Sequence, residues 1–193
     1  MDTAHRPIAA DPAKDDVLII VDGLDRQVGT ATKLQAHEDG LLHRALSVVL
    51  YRNGTDGVEA LLARRASCKY HSAGLWANSC CSHPRDGEAT FDAAIRRIQE
   101  ELGCTAVALD EIGAFAYRAP FENGLVEYEY DHVFVGECDS TPSPDPNEVS
   151  EVRWAGLDSL AEELAGHPER FAAWAPMVLT MAMEHLQRAS LVR

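Results

Sequence analysis

Basic residues are scarce in this sequence: 17 Lys and Arg stand against 31 Asp and Glu, giving a formal net charge of -14 and a pI near 4.9. A surface of that sign repels phosphate backbones and anionic lipid, which argues against nucleic-acid binding and against membrane association. Long apolar runs are missing as well. No stretch approaches the ~20 residues of a membrane span, and Met1 to Asp16 has no apolar core of a secretory signal. Five cysteines form an odd set without a CxxC pair, so a disulfide framework is excluded and a reducing, cytoplasmic setting with free thiols is expected. No internal repeat is visible, and no obligate protein partner is evident.

What is present suits one domain. Of 193 residues, 46% are hydrophobic, enough for a sizeable core. The polar, proline-containing stretch 1–15 reads as a flexible N-terminal arm and 16–193 as a single domain. Val17 to Val21 is a strand run ending at the Asp22-Gly23 turn, Leu46 to Tyr51 is another, ending at Asn53-Gly54, and Val58 to Ala63 is a third. Further strands are expected near 112–118 and 126–136, with a short one from Glu151 to Trp154. Helices are expected over Phe91 to Leu102, Asp158 to Ala165 and Pro176 to Ala189, and Cys138 to Pro146, with three prolines, reads as a surface loop. This mixed order implies a layered α/β or α+β sandwich.

The stretch Trp76-Ala77-Asn78-Ser79-Cys80-Cys81-Ser82-His83-Pro84-Arg85-Asp86-Gly87 concentrates the chemistry. In an extended segment side chains alternate between faces, so Cys81 and His83 look one way and Cys80 the other. Pro84 removes a ladder donor and, with Gly87, ends the strand, placing thiol and imidazole at a strand end, where catalytic groups are often held. Buried structural cysteine is the ordinary alternative, since free Cys is among the most buried residue types. In the helix that follows, Phe91, Ala94, Ile95, Ile98 and Leu102 form the apolar stripe and Gly103 a natural stop, while Arg97 and Glu101 lie side by side at i, i+4 on one flank. An ion pair on a solvated helix face is the commoner meaning of such a pair.

Set against the Nudix box, G-x5-E-x7-R-E-U-x-E-E-x-G-U with U aliphatic, this segment supplies Glu88, Arg96, Ile98, Glu100, Glu101 and Gly103, while Ser82 stands for the leading Gly and Arg97 for the Glu after Arg96. A guanidinium in place of a metal-holding carboxylate should cripple diphosphate hydrolysis and suits instead a bidentate grip on a diphosphate. With Cys-Cys-Ser-His-Pro ahead of the altered box, the chain from about Asp16 to its last helix resembles the type I isopentenyl diphosphate isomerases of the Nudix superfamily. The resemblance implies a Nudix-type α/β/α sandwich with a mixed sheet, and an enzyme that interconverts isopentenyl and dimethylallyl diphosphate.

It also implies roles. His37 and His43 in the segment Leu34 to Ala45, His83, and Glu127 and Glu129 of a Glu-x-Glu strand would hold a divalent ion; a period of two puts both carboxylates on one face. Imidazole suits Zn, Mn or Fe and carboxylate suits Mg or Mn, so Mg, Mn and Zn all stay open. Cys81 and Glu129 would be the acid-base pair flanking the alkene, with Tyr117 exchanging a proton with Glu129. Arg65, Lys69 and Arg97 would bind the diphosphate, accompanied by a second Mg²⁺ at Glu101 and the Cys81 backbone. His5, His71, His132, His167 and His185 are expected to be solvated or structural.

One element departs from the family. Its Phe-x-Pro-Trp near the start of the last helix is read here as Trp174-Ala175-Pro176-Met177, which puts Met177 at the Trp position and leaves Trp174 or Trp76 to lie against the substrate carbons. A pocket widened in this way would take a longer prenyl diphosphate, for isomerisation or proton-initiated cyclisation. A Nudix diphosphate hydrolase or nucleotide-binding module is a third reading, disfavoured by Arg97, Cys81 and Glu129.

Overall fold

The computed structural model describes residues 16–69, 71–104, 108–138 and 140–191; the arm expected over 1–15 lies outside them. Strands β1 (Val17–Val21) and β2 (Gln27–Thr32) form a hairpin whose turn is held by Asp22, with Oδ1 accepting from the N–H groups of Leu24 and Arg26 at 2.9 and 3.1 Å. Strand β2 is exposed along nearly its whole length and lacks the apolar alternation that makes a strand visible in sequence. Thr32 then caps helix α1 (Lys33–Asp39), its hydroxyl accepting from the Gln35 N–H at 3.2 Å, and Gly40 ends the helix in the left-handed conformation at φ 61°.

The centre of the sheet is β3 (His43–Gly54). One edge pairs in parallel with β8 (Val126–Glu137) from His43 to Tyr51. The other edge meets β1 at His43, β6 (Cys80–Ser82) at Leu46 to Val48, and β4 (Gly57–Arg65) from Tyr51 onward. Strand β7 (Leu109–Pro120) runs antiparallel to β8, and both β5 (Trp76–Ala77) and β9 (Val149–Gly156) run antiparallel to β4. A strand covered on both faces is apolar almost throughout, and β3 shows the division: Leu46, Val48 and Leu50 face one layer, Val49 and Tyr51 the other.

Helix α2 (Thr90–Leu102) covers the first face. Its Ala94, Ile98 and Leu102 are buried with Leu46, Val48, Leu61 and Phe134; a fully buried Ile or Leu contributes about 1.5–3 kcal/mol. Phe91, counted in that stripe from sequence, is 45% exposed. At the far end Gly103 has φ 63°, and a Cβ there would stand 2.9 Å from the Ser143 carbonyl oxygen, so glycine is required twice over. Here the chain folds back onto the helix end, the Ser143 and Asp145 N–H groups donating to the carbonyls of Leu102 and Glu101. Helices α3 (Leu157–Gly166) and α4 (Ala175–Leu191) cover the second face, where Leu160, Val178, Leu179 and Ala182 pack with Leu62, Val133 and Val135. Helices on both faces of a mixed nine-stranded sheet make the expected α/β/α sandwich. Among the described residues no helix is long and apolar enough to cross a membrane.

The segment from Trp76 to His83 is not one strand but two. Between β5 and β6, Ser79 Oγ accepts from the Leu50 N–H at 2.8 Å and donates to the Leu61 carbonyl at 2.7 Å, while Asn78 Nδ2 donates to the carbonyls of Val48 and Cys80. These buried side chains carry the backbone from β4 across to β3, and so set the height of Cys81.

Candidate active site

Strand register builds the site. His43 of β3 is paired with Glu129 of β8, which is paired with Tyr117 of β7, and further along β3 Ser47 is paired with Cys81 of β6. With a period of two, Glu127, Glu129 and Asp131 share the face of Val133 and Val135, the one that α4 covers. His37 arrives from α1, its ring centroid 5.2 Å from that of His43, and His83 lies 5.2 Å from His43 in turn.

These groups fit a divalent metal ion. His37 Nδ1 faces the Lys33 carbonyl at 2.6 Å and His43 Nδ1 the Leu41 carbonyl at 2.8 Å; a carbonyl only accepts, so Nδ1 carries the proton and Nε2 presents a lone pair. For His43 that lone pair points at Glu129 Oε1, 3.5 Å away, and the atom is buried without a hydrogen-bond partner among the described residues, as is Glu127 Oε2. Facing lone pairs are costly unless a cation lies between them. His83 Nε2 approaches the same Glu129 oxygen at 2.9 Å. His43, His83 and Glu129 bring one ligand atom each within 4.8 Å, and so do His37, His71 and Glu127. Burial pushes His83 down to about 3 against the pull of Glu129, and His71 down to about 3 with Arg65 adding to it, which keeps both imidazoles neutral and able to ligate. Burial alone would raise Glu129; positive charge at Oε1, from protonated His43 and His83 or from an ion held between them, outweighs that and holds it well below the usual carboxylate range. Burial and the charge of Glu129 drive Glu127 and Asp131 well above it.

Cys81 sits among donors and acceptors of its own. Its Sγ accepts from the Trp174 indole N–H at 2.8 Å, lies 3.6 Å from Ser47 Oγ, and donates to Asn78 Oδ1 at 3.0 Å; Ser47 donates to Asp131 Oδ2 at 2.8 Å. Burial and the Asp131 charge push this thiol above its ordinary value, with Ser47 and Trp174 pulling the other way, so at neutral pH it is a thiol. The Tyr117 hydroxyl donates to Glu129 Oε2 at 2.6 Å. Glu129 therefore turns Oε1 to the histidines and Oε2 to the tyrosine. Cys80 packs in the opposite layer with α2.

A cavity of about 560 Å³ joins these groups to a set of cations: Cys81, His83, Glu127, Glu129 and Trp174 line it, and so do Lys33, Arg65, Lys69, Arg97 and Glu101. The Arg65 guanidinium carbon lies 5.1 Å from the Trp174 ring centroid, and Arg65 Nε is a buried donor without an acceptor among the described residues. Lys69 pairs with Glu148, and Arg97 with Glu100 and Glu101 at 2.8 and 2.6 Å. Burial lifts Glu101 against the pull of Arg97. In a chain of net charge -14 these cations share the cavity with carboxylates, Glu100, Glu101 and Glu148 among them, so an anionic ligand there needs divalent ions as well as the Lys and Arg side chains.

The NUDIX domain family matches residues 41–175. The chain is 44% identical over 174 residues to the isopentenyl-diphosphate Delta-isomerase of Photobacterium profundum, covering 89% of this chain and 97% of that relative. The protein of the same name from Serratia proteamaculans is 44% identical over 160 residues, covering 83% and 87%. The chain belongs to the isopentenyl-diphosphate Delta-isomerase family. In fold it is similar to DR0079 from Deinococcus radiodurans, with a TM-score of 0.68 at 20% identity over 85% of this chain and 97% of that one. It is similar also to the MutT protein from Methanosarcina mazei Go1, with a TM-score of 0.57 at 20% identity over 77% and 95%.

For this member of the isopentenyl-diphosphate Delta-isomerase family, several positions differ from the sequence reading. Met177 is 40% exposed on α4 and does not line the cavity, whereas Trp174 is 2% exposed and touches Cys81. Trp174, and not position 177, thus supplies the side chain at the cavity wall. Trp76, expected beside the substrate, does not line the cavity: it lies in the core, with the Arg153 guanidinium stacked 4.7 Å from its ring centroid and its backbone bridged to Phe171. His71, expected to be solvated or structural, lines the cavity with Nε2 3.5 Å from Glu127 Oε1. Its signal in the sequence was its place just after Arg65 and Lys69. Lys33 was not anticipated either, although it stands at i-4 from His37 and so on the same helix face.

Proposed function

We propose that the protein interconverts isopentenyl diphosphate and dimethylallyl diphosphate, by protonation at C4 and proton loss from C2 through a tertiary carbocation. The observation that carries this reading is that Cys81 and Glu129 line one cavity together with four cationic side chains. An unactivated alkene is a very weak base, so its acid must be held close in a site that excludes water and stabilises the cation. Cys81 and Glu129 hang from β6 and β8, the strands on either edge of β3, and act on the substrate as the acid-base pair. Tyr117 exchanges its proton with Glu129 through Oε2. Trp174 stabilises the carbocation through its ring, an effect on the order of 2 kcal/mol when desolvated.

Arg65, Lys69 and Arg97, joined by Lys33, grip the diphosphate. His37, His43, His83, Glu127 and Glu129 would hold a divalent ion, Zn, Mn or Mg, which when bound keeps Glu129 ionised on its Oε1 side. Glu101 and the Cys81 backbone would hold the Mg²⁺ that accompanies the diphosphate. Residues 16–193 serve as one domain, in a cytoplasmic setting that leaves Cys81 reduced, with a small-molecule substrate and neither nucleic acid nor membrane as partner. A longer prenyl substrate loses its support once Met177 lies outside the cavity, and hydrolysis is disfavoured by Arg97 at a metal-holding position of the box.

The test is to supply metal-loaded protein with isopentenyl diphosphate in heavy water. Dimethylallyl diphosphate should form, with deuterium at C2 and C4 of the recovered diphosphates by NMR. Release of inorganic phosphate or diphosphate without isomerisation would overturn the reading.

A further inference from the structure

His71 is a cavity-lining residue that the proposed chemistry leaves unused. It lies between β4 and β5 and is 8% exposed, its ring stacked on Phe121 at 4.6 Å and edge-on to Trp174 at 6.1 Å. Nδ1 stands 3.3 Å from the hydroxyl of Ser72, whose φ of 51° is a left-handed conformation that few residues other than glycine adopt. Nε2 is thereby aimed at Glu127, 3.5 Å from Oε1, and His37, His71 and Glu127 bring ligand atoms within 4.8 Å of one another. The arrangement repeats that of His37 and His43, where a contact at Nδ1 likewise leaves Nε2 to face the carboxylates.

We propose that His71 is a sixth protein ligand to the divalent ion of His37, His43, His83, Glu127 and Glu129; the inference rests on the metal site of the reading above. Two ligand atoms at about 2.0–2.2 Å from one ion stand no more than about 4.4 Å apart, and the His71 nitrogen already meets that limit from Glu127. Six protein ligands fill an octahedron and leave no position for water, which separates this site from metal sites that generate a hydroxide nucleophile. Four imidazoles also move the preference from Mg toward Zn, Mn or Fe.

The full chain loaded with Zn²⁺ alone decides the matter by X-ray absorption at the zinc edge, with Co²⁺ loading and its visible spectrum as the companion measurement. The wild type should fit four imidazoles in a six-coordinate shell with weak Co²⁺ bands. His71→Phe, which keeps the stack on Phe121, and His71→Asn should each lose one imidazole, strengthen the Co²⁺ bands several-fold, and raise the Zn²⁺ dissociation constant by about 10- to 100-fold. A wild-type shell of three imidazoles, or an unchanged shell and affinity in a folded His71→Phe protein, would overturn the role of His71. Neither result touches the isomerase reading, which fails only if wild-type protein leaves isopentenyl diphosphate unconverted.

Discussion

The indole nitrogen of Trp174 lies 2.8 Å from Cys81 Sγ, tying the residue just ahead of the last helix to the middle of β6. The tie is supported from behind, because the Ala172 N–H donates to the Trp76 carbonyl at 2.8 Å and Phe171 bridges to Trp76. Trp76 thus bears on the site through its backbone, docking the segment that carries Trp174 against the strand that precedes Cys81.

Trp174→Ala should therefore lower kcat/KM for isopentenyl diphosphate by about 30-fold or more, the rate equivalent of a lost cation contact near 2 kcal/mol. Met177→Trp, on an exposed face of α4, should stay within about twofold of wild type. Steady-state kinetics with five-carbon and ten-carbon diphosphates checks both, and selective loss of ten-carbon turnover in Met177→Trp would contradict the placement.

Removing either member of the acid-base pair should be far more costly. Cys81→Ala and Glu129→Gln should each cost about 10²- to 10⁴-fold in kcat, and Tyr117→Phe somewhat less, since it removes one donor to Glu129 Oε2. Cys80→Ala should keep most of the activity, because its side chain packs in the layer of α2. Equal losses at Cys80 and Cys81 would mean that the facing of β6 is wrong.

Metal removal offers a third check. Chelation should abolish turnover and lower the melting temperature together, since an ion that binds only the folded state adds to its stability, and it would otherwise leave His43 Nε2 and Glu127 Oε2 buried without partners. His43→Ala and Glu127→Gln should each lower bound metal in elemental analysis. Full activity in metal-free protein is the outcome that breaks this account.

The thiols should separate by pH. Cys68 is exposed, while burial raises Cys104 to about 11, so at pH 8 roughly one Cys104 in a thousand carries the reactive thiolate. Raising the pH increases that fraction about tenfold per unit until pH 11 is approached. Iodoacetamide on native protein should label Cys68 first at pH 8, and peptide mass spectrometry that finds Cys104 labelled as fast would refute its burial.

The parts of the fold visible in sequence were those with a period. Helix α2 shows its stripe and its glycine stop, and β3 its apolar run. Strand β2 was invisible because an exposed edge needs no apolar alternation, and α1 because seven residues carry too few turns for a pattern. In the site, Cys81, His83 and the Glu-x-Glu pair followed from parity and from the family motif. His71 did not, since a histidine in a loop is aimed by its backbone, here the left-handed Ser72, and no spacing rule reaches that. Trp174 and Trp76 are equal candidates in the sequence, and the bridge from Phe171 to Trp76, beside which the Trp174 indole reaches Cys81, is not visible there.

The contacts that close the site join segments far apart in the chain, and this governs how the chain comes to fold. His83 meets Glu129 across 46 residues of sequence, Cys81 meets Ser47 across 34, and Trp174 meets Cys81 across 93. Contacts of such span repay the entropy of closing their loops only after those loops have closed, so folding should be slow for the chain's size, nearer the milliseconds-to-seconds range of non-local sheets than the microseconds of helical bundles. During synthesis, Cys81 leaves the ribosome before Trp174, 93 residues further on, has been added to enclose it. Until then its thiol is open to oxidation, and the nascent chain depends on its surroundings, not on its own architecture, to keep that sulfur reduced.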